Sequence, residues 1–574
     1  MPLMGSLYIG ASGLQTSQNA LNTVAHNLSN VDTVGYTRQQ VQQSDRTYLT
    51  LSVDIDSISN KQTGLGTMYS RVKQVRDFFL DKTYRRESGR GMFYETSTEV
   101  LEEVESQLGE MNGEAFQTTL TDLWTAIQEL TKDPTSSITQ GLLVQRASEF
   151  VERSAAVYEG LSSYQDNLNT QIKQRVDKIN EYGNQLLDLN DRIRTVESGG
   201  VERANDLRDA RDQILDELAE LAKISYGEDI SGNVWVQIEG VDFVKGAMCY
   251  EMGMDIDAST GFYTPFWPQN ATLQIMNDGS RAYMIDGAEV FDFSVEISAD
   301  YNTDIGGLKA MMLARGTHRA DYTDIERDYD QVSQSVLMNI QAEFDQLVHN
   351  VVTTVNDILA KAAGVTEGTL TLADGTVIEN AKYCEIDDGG YMRSEDGFPL
   401  QLFTKATTAG YTKVAGANGQ EYWLYAPEDP EMGDTLYTVR NLAINQELMQ
   451  SPGLLNFRLE DGSEDHATAE ALKAAFTEEK YTLNPYVKKK TTFVNYYTDL
   501  VSQVANSGSV YRSIYENQST TVEATESARA QIVGVSSDEE LSNMVKFQNA
   551  YNASSRYINV ISQMLEHIIN TLGM

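Results

Sequence analysis

Leucine returns every seventh residue at the start of this chain, at Leu7, Leu14, Leu21 and Leu28, with Leu3, Val24 and Val31 on the companion row. The same spacing recurs at the far end, in Met544, Tyr551, Ile558, Leu565 and Leu572. A seven-residue apolar repeat keeps one face of a helix toward a partner, so both ends read as coiled-coil strands. Between them the pattern changes several times. Residues 37–85 alternate in short runs such as Leu49–Val53 and read as extended. Helical spacing returns near Thr98 with Leu101, Val104, Leu108 and Met111, resumes after Gly113 with Phe116, Leu120, Leu123 and Ile127, and stops at Asp133-Pro134.

The longest helix signal runs from about Leu142 to Val196. Leu161, Leu168, Tyr182, Leu189 and Val196 form one row, and Ile172, Ile179, Leu186 and Ile193 the other, with Arg175 as the one intruder. Gly199-Gly200 ends it, and a second helix spans about Ala204 to Lys223. The period then drops to two at Val234, Val236 and Ile238, the mark of a strand. A helical return opens at Gly306-Gly307. After Gly364 comes a second β-rich stretch to about Tyr486, in which Asp374-Gly375 suits a type I′ hairpin turn. Helix resumes at Thr492 and breaks near Gly534, and Ser537–Leu541 reads as a capping box for the last helix.

The predicted fold is therefore mainly α with inserted β modules, an α+β multidomain chain. Its segments are a terminal strand at 1–36, a helical body at 37–223, 306–364 and 487–534, β-rich insertions at 224–305 and 365–486, and a second terminal strand at 535–574. A length of 574 residues calls for several cores.

Charge sharpens this picture. The chain is 22% charged with a net charge of −40. Yet residues 1–31 contain no Asp, Glu, Lys or Arg, and from Phe547 onward only Arg556 and Glu566 are charged. Such acidity argues against nucleic acid or an anionic membrane surface as partner. No apolar run is long enough to span a bilayer, and the polar-interrupted N-terminus does not read as a secretory signal. Cys249 and Cys384, the two cysteines, read as isolated thiols.

Catalytic chemistry is not apparent. The five histidines are scattered singly, and no zinc-protease, nucleophile-elbow or phosphate-loop motif appears. Asp255–Gly261 lacks the closing Glu of a calcium loop. The sequence thus predicts no catalytic residue, no metal site and no cofactor.

Ser12-Gly13-Leu14, Gln18, Ala20-Leu21, Asn27, Asn30, Thr33 and Gly35-Tyr36 resemble the N-terminal signature of the flagellar axial proteins, the family of rod, hook and hook-associated proteins. Ala204–Leu218 and Gly534–Leu541, continuing through Phe547–Ser554, resemble segments of its hook-associated members, as does the helix start at Gly306-Gly307-Leu308-Lys309. Val34 departs from the Pro or Ala usual before Gly-Tyr, and residues 365–486 do not align. The resemblance implies an extracellular, non-enzymatic structural protein at the hook–filament junction, exported through the flagellar channel and transiently cytoplasmic before that. It implies a homo-oligomeric ring contacting the hook protein and a second hook-associated junction protein, and a cytoplasmic export chaperone on the C-terminal segment. Leu7, Leu14, Leu21, Leu28, Met544, Tyr551, Ile558, Leu565 and Leu572 would then be assembly residues, and Asn27, Asn30, Gly35 and Tyr36 would shape the turn. Another axial protein (hook or distal rod), a ligand-binding or enzymatic module at 365–486, and a cytoplasmic coiled-coil scaffold stay open as alternatives.

Self-pairing of the ends closes a loop whose entropy costs roughly 5–6 kcal/mol. Fully burying each leucine returns only about 1.5–3 kcal/mol. Residues 1 to about 35 and 540–574 are therefore expected to be largely disordered in the free monomer and to order against neighbouring copies, with an intramolecular helical hairpin as the alternative.

Overall fold

The computed structural model describes residues 2–53, 60–109, 116–200, 202–275, 281–386, 392–394, 397–459 and 461–572. In chain order its helices are α1 (Pro2–Ser29), α2 (Phe78–Gly109), α3 (Phe116–Lys132), α4 (Ser137–Glu197), α5 (Asn205–Leu221), α6 (Gly307–Arg315), α7 (Tyr322–Val332), α8 (Val336–Ala362), α9 (Gln446–Gln450), α10 (His466–Thr477), α11 (Phe493–Val533) and α12 (Ser537–Leu572). Small antiparallel sheets fill the intervals. The chain is mainly helical with inserted β modules, a mixed α+β fold.

The 61 residues of α4 make the spine, roughly 90 Å long at ~1.5 Å per residue. Its first half packs on α3 and α8, and α10 and α11 pack in turn on those two helices. Phe116 sits at the centre, its ring 5.7 Å from that of Phe150, 4.9 Å from Phe344 and 4.8 Å from Tyr497. The second half of α4 buries Tyr182 and Leu186 in the core it shares with the first β module. There a four-stranded sheet (Ile224–Glu228, Val234–Ile238, Val241–Lys245, Met248–Cys249) turns Val234, Val236 and Ile238 inward. Asn190 of α4 pins that sheet by accepting from Val234 N–H at 3.0 Å and donating to its carbonyl at 2.9 Å.

Several elements depart from the periodicity reading. Helix α2 starts at Phe78, well before Thr98, because its first turns bury Asp81, Arg85, Glu87 and Ser88 instead of an apolar stripe. Met111 and Gly113 lie outside the described residues. The return at 306–364 is three helices. Gly316 breaks the first at φ 75°, and Ser335 caps the third by accepting from Met338 N–H. Beyond Ile444 the second module ceases to be β. Helix α10, capped by Asp465, buries Ala469, Leu472 and Phe476 on the body. The Asp374-Gly375 turn is not type I′, since only Gly375 has positive φ (88°). Gly375 N–H donates to Leu372 O and Leu372 N–H to Thr376 O, the pattern of a type I turn followed by a left-handed glycine.

The terminal segments differ most from expectation. Both are helical in the single chain, and α1 packs along α12. The expected disorder is thus replaced by the intramolecular hairpin, whose closure cost falls because the folded body already brings residues 38 and 540 together.

Candidate assembly surface and its elbow

Helix α1 lies between α12 on one side and the strand Thr67–Gln74 on the other. Small residues set both distances. A Cβ on Gly10 would meet Ile558 Cγ1 at 2.7 Å, and one on Gly13 would meet Ser554 Oγ at 2.8 Å. On the strand side Ser12 Oγ accepts from Thr67 N–H at 3.2 Å. The residues that α1 buries are accordingly Gly10, Ser12, Thr16, Ser17, Ala20, Val24 and Asn27.

Leu7, Leu14, Leu21 and Leu28 flank this seam and are only half-buried, as are Met544, Tyr551, Ile558 and Leu565 on α12. The side chain of Leu572 lies outside the described residues. On α12 only Glu540 and Ile561 are buried among the described residues. A second apolar stripe, Tyr557, Val560, Met564 and Ile568, is exposed at spacings of three and four, and on α1 Met4 and Tyr8 are 54% and 62% exposed. Heptad spacing points to the leucines. It misses this outer stripe, whose members fall between the heptad positions.

An elbow joins α1 to the body, and it gathers Asn27, Asn30, Gly35 and Tyr36. Asn27 Oδ1 accepts from Tyr36 OH at 2.8 Å and from Gln39 N–H at 3.0 Å, while its Nδ2 donates to Gln39 O at 2.8 Å. Asn30 Nδ2 donates to His26 O at 2.9 Å and its Oδ1 accepts from Thr33. The His26 ring stacks on Tyr36 at 5.6 Å. Gly35 turns the chain at φ 77°, where a side chain is disfavoured.

Beyond the elbow come contacts with no pairwise signal in the sequence. Thr37 N–H donates to Asp209 Oδ2 at 3.1 Å, and Gln74 Nε2 donates to Asp209 Oδ1 at 2.7 Å. Burial pushes the Asp209 carboxyl up to about 6. Arg38 reaches the start of α12, pairing with Glu539 at 2.8 Å and Glu540 at 3.0 Å. The cap of α12 comes from Ser536, one residue before the predicted Ser537: Ser536 O accepts from Glu540 N–H at 3.0 Å and its Oγ lies 3.5 Å from Glu539 N. Glu539 does not close the box, being turned to Arg38 instead.

Below the elbow three arginines alternate with three aspartates. Arg76 pairs with Asp81 and Asp212, Arg85 with Asp212 and Asp216, and Arg529 of α11 with Asp81 and Asp216. Burial disfavours the charge on Arg85, yet Asp216 and Asp212 hold its pKa above the ordinary value. This network ties α2, α5 and α11 into one base. Among the described residues no cluster of His, Cys, Asp or Glu could hold a metal ion, and no helix is long and apolar enough to cross a membrane.

Three family models match in chain order. Residues 7–37 match a flagella basal body rod protein model, and residues 515–571 the C-terminal model of flagellar basal body rod FlgEFG proteins. Between them, residues 101–371 match the helical domain of flagellar hook-associated protein FlgK. Flagellar hook-associated protein 1 of Bacillus subtilis is 24% identical over 98% of this chain and 97% of its own length. Over nearly its whole length the chain is similar to the flagellar hook-associated protein 1 family.

The relative from Escherichia coli is 23% identical over 99% of this chain and its full length. The fold is also similar to that of the flagellar hook junction protein FlgK from Burkholderia pseudomallei, with a TM-score of 0.50, 12% identity, 79% of this chain covered and all of the other. This likeness, carried across both ends and the middle of the chain, supports a structural protein of the bacterial flagellum, at the junction of hook and filament.

Proposed function

We propose that this chain builds the hook–filament junction by self-assembly through α1 and α12. The observation that carries this reading is the α1–α12 pair itself, held by the elbow and presenting an apolar, nearly charge-free outer face on a chain of net charge −40. Each exposed Val, Met or Ile on that face gains about 1.5–3 kcal/mol on full burial. Several such contacts on each side are needed to exceed the cost of association, about 4–15 kcal/mol. Like charges facing one another in a close-packed ring would oppose this, and the stripe carries none.

In this reading copies of the chain form a ring. The hook protein lies on one side and a second hook-associated protein on the other, and an export chaperone covers the C-terminal segment in the cytoplasm. The assembled protein is extracellular and has no catalytic role. Gly10 and Gly13 set the α1–α12 pair, Leu7, Leu14, Leu21 and Leu28 flank it, and Tyr557, Val560, Met564 and Ile568 meet neighbours. Val560→Asp with Met564→Asp should leave a soluble, helical monomer that is absent from sheared flagella. Normal incorporation of that variant would refute the assignment.

A further inference from the structure

Between the first β module and helices α6–α8 lies a cavity of about 480 Å³, within the range of small-molecule sites. Phe262, Pro265, Phe291, Met312 and Met338 make its walls apolar. Arg315 also lines it, and is only 3% exposed.

The neighbours of Arg315 are all neutral. Its Nη1 donates to Asn169 Oδ1 at 2.7 Å and to Tyr263 O at 2.8 Å, and its Nε donates to Gly316 O at 3.0 Å. Its guanidinium carbon lies 4.7 Å from the ring centre of Phe262. Among the described residues no carboxylate pairs with it, and its Nη2 has no hydrogen-bond partner. The other buried arginines, Arg85, Arg208 and Arg211, each face a carboxylate. Burial alone acts on Arg315, pushing its pKa down to about 10. A desolvated charge without a counter-ion is costly, and a ligand carboxylate would offset that cost.

We propose that this cavity binds an apolar monocarboxylic acid, with the carboxylate on Arg315 and the hydrocarbon chain against the phenylalanine and methionine walls. Asp257 and Glu289, both exposed lining residues, set the class of ligand. They repel multivalent anions such as phosphate, whereas a single carboxylate on an apolar body gains enough from burial to pass them.

Isothermal titration calorimetry of the full chain with sodium decanoate tests the assignment, with decylamine and inorganic phosphate as comparisons. Saturable one-to-one binding of decanoate alone is expected. Arg315→Met should weaken it about tenfold or more, the loss of a charge-assisted pair. Because that variant also loses structural hydrogen bonds, Ile285→Trp provides a second arm, filling the cavity and leaving Arg315 in place. Circular dichroism checks that each variant is folded. No saturable binding by the unmodified chain, equal binding of decylamine, or unchanged affinity in folded Ile285→Trp would overturn the proposal. None of these results bears on assembly through α1 and α12, whose residues do not line the cavity.

Discussion

Arg38 Nε donates to Glu540 Oε1 at 3.0 Å across a sequence separation of 502 residues. This pair joins the strand leaving the elbow to the first turn of α12, and Glu540 is 2% exposed. Arg38 N–H also donates to Val533 O at 2.9 Å, so one residue holds both sides of the α11–α12 break. The outer hairpin therefore takes its direction from this clamp.

Glu540→Ala should release it. Removing Glu540 breaks the buried arm of the clamp and leaves Arg38 only the exposed Glu539, at about 1–3 kcal/mol. Faster hydrogen exchange is expected over residues 534–545, with the melting temperature of the body unchanged. Exchange equal to that of the unmodified chain would show that the clamp is dispensable.

The elbow makes a separate claim. Asn27→Ala removes three hydrogen bonds at once, each contributing about 0.5–1.5 kcal/mol net. Gly35→Ala places a side chain at φ 77° and should cost about 1–2 kcal/mol. Limited proteolysis should cut near residues 30–36 in both variants and spare residues 116–364. Resistance at the elbow would remove its assigned role.

Leu21→Asp introduces a half-buried charge beside the α1–α12 seam. It should separate the hairpin and prevent incorporation into flagella, leaving the Phe116 core intact. Intrinsic fluorescence and thermal melting report the body, and electron microscopy of sheared flagella reports the junction. A motile strain carrying this variant would be the contrary result.

Two buried carboxyls on α8 predict a pH dependence. Burial pushes Glu343 up to about 7 and Asp345 up to about 8. Glu343 accepts from Asn484, Tyr329 and Gln503, and Asp345 from the backbone N–H groups of Tyr322 and Val439. The folded chain holds these protons more tightly than the unfolded chain, whose carboxyls titrate near pH 4. Stability from this source is full below about pH 4 and declines as pH rises through about 7–8. Glu343→Gln imitates the protonated acid and should flatten that decline, raising the melting temperature relative to the unmodified chain most at pH 8–9. Parallel melting curves against pH for the two proteins would contradict this.

Phe116→Ala should cost about 3–5 kcal/mol, because its ring meets Phe150, Phe344 and Tyr497 together. The loss should appear in thermal unfolding of the body. Equal loss of exchange protection in the body and in α1 and α12 would mean that body and hairpin form one cooperative unit.

The sequence by itself determined the helices with apolar seams. Rows such as Ile172, Ile179, Leu186 and Ile193 repeat at the helical period because one face must leave water, and local spacing carries that information. It also determined the uncharged ends and the cluster of turn formers from Asn27 to Tyr36. The tertiary structure alone decided the start of α2 at Phe78, since Arg85 and Asp81 become a helix face only when Asp212, Asp216 and Arg529 arrive from distant segments. It alone decided that α1 meets α12 through Gly10 and Gly13, leaving the heptad leucines at the margin, and that Arg38 finds Glu540. Apolar periodicity reports burial along one element. Close approach and charge pairing depend on which other element is brought against it, and that is fixed only when the chain folds.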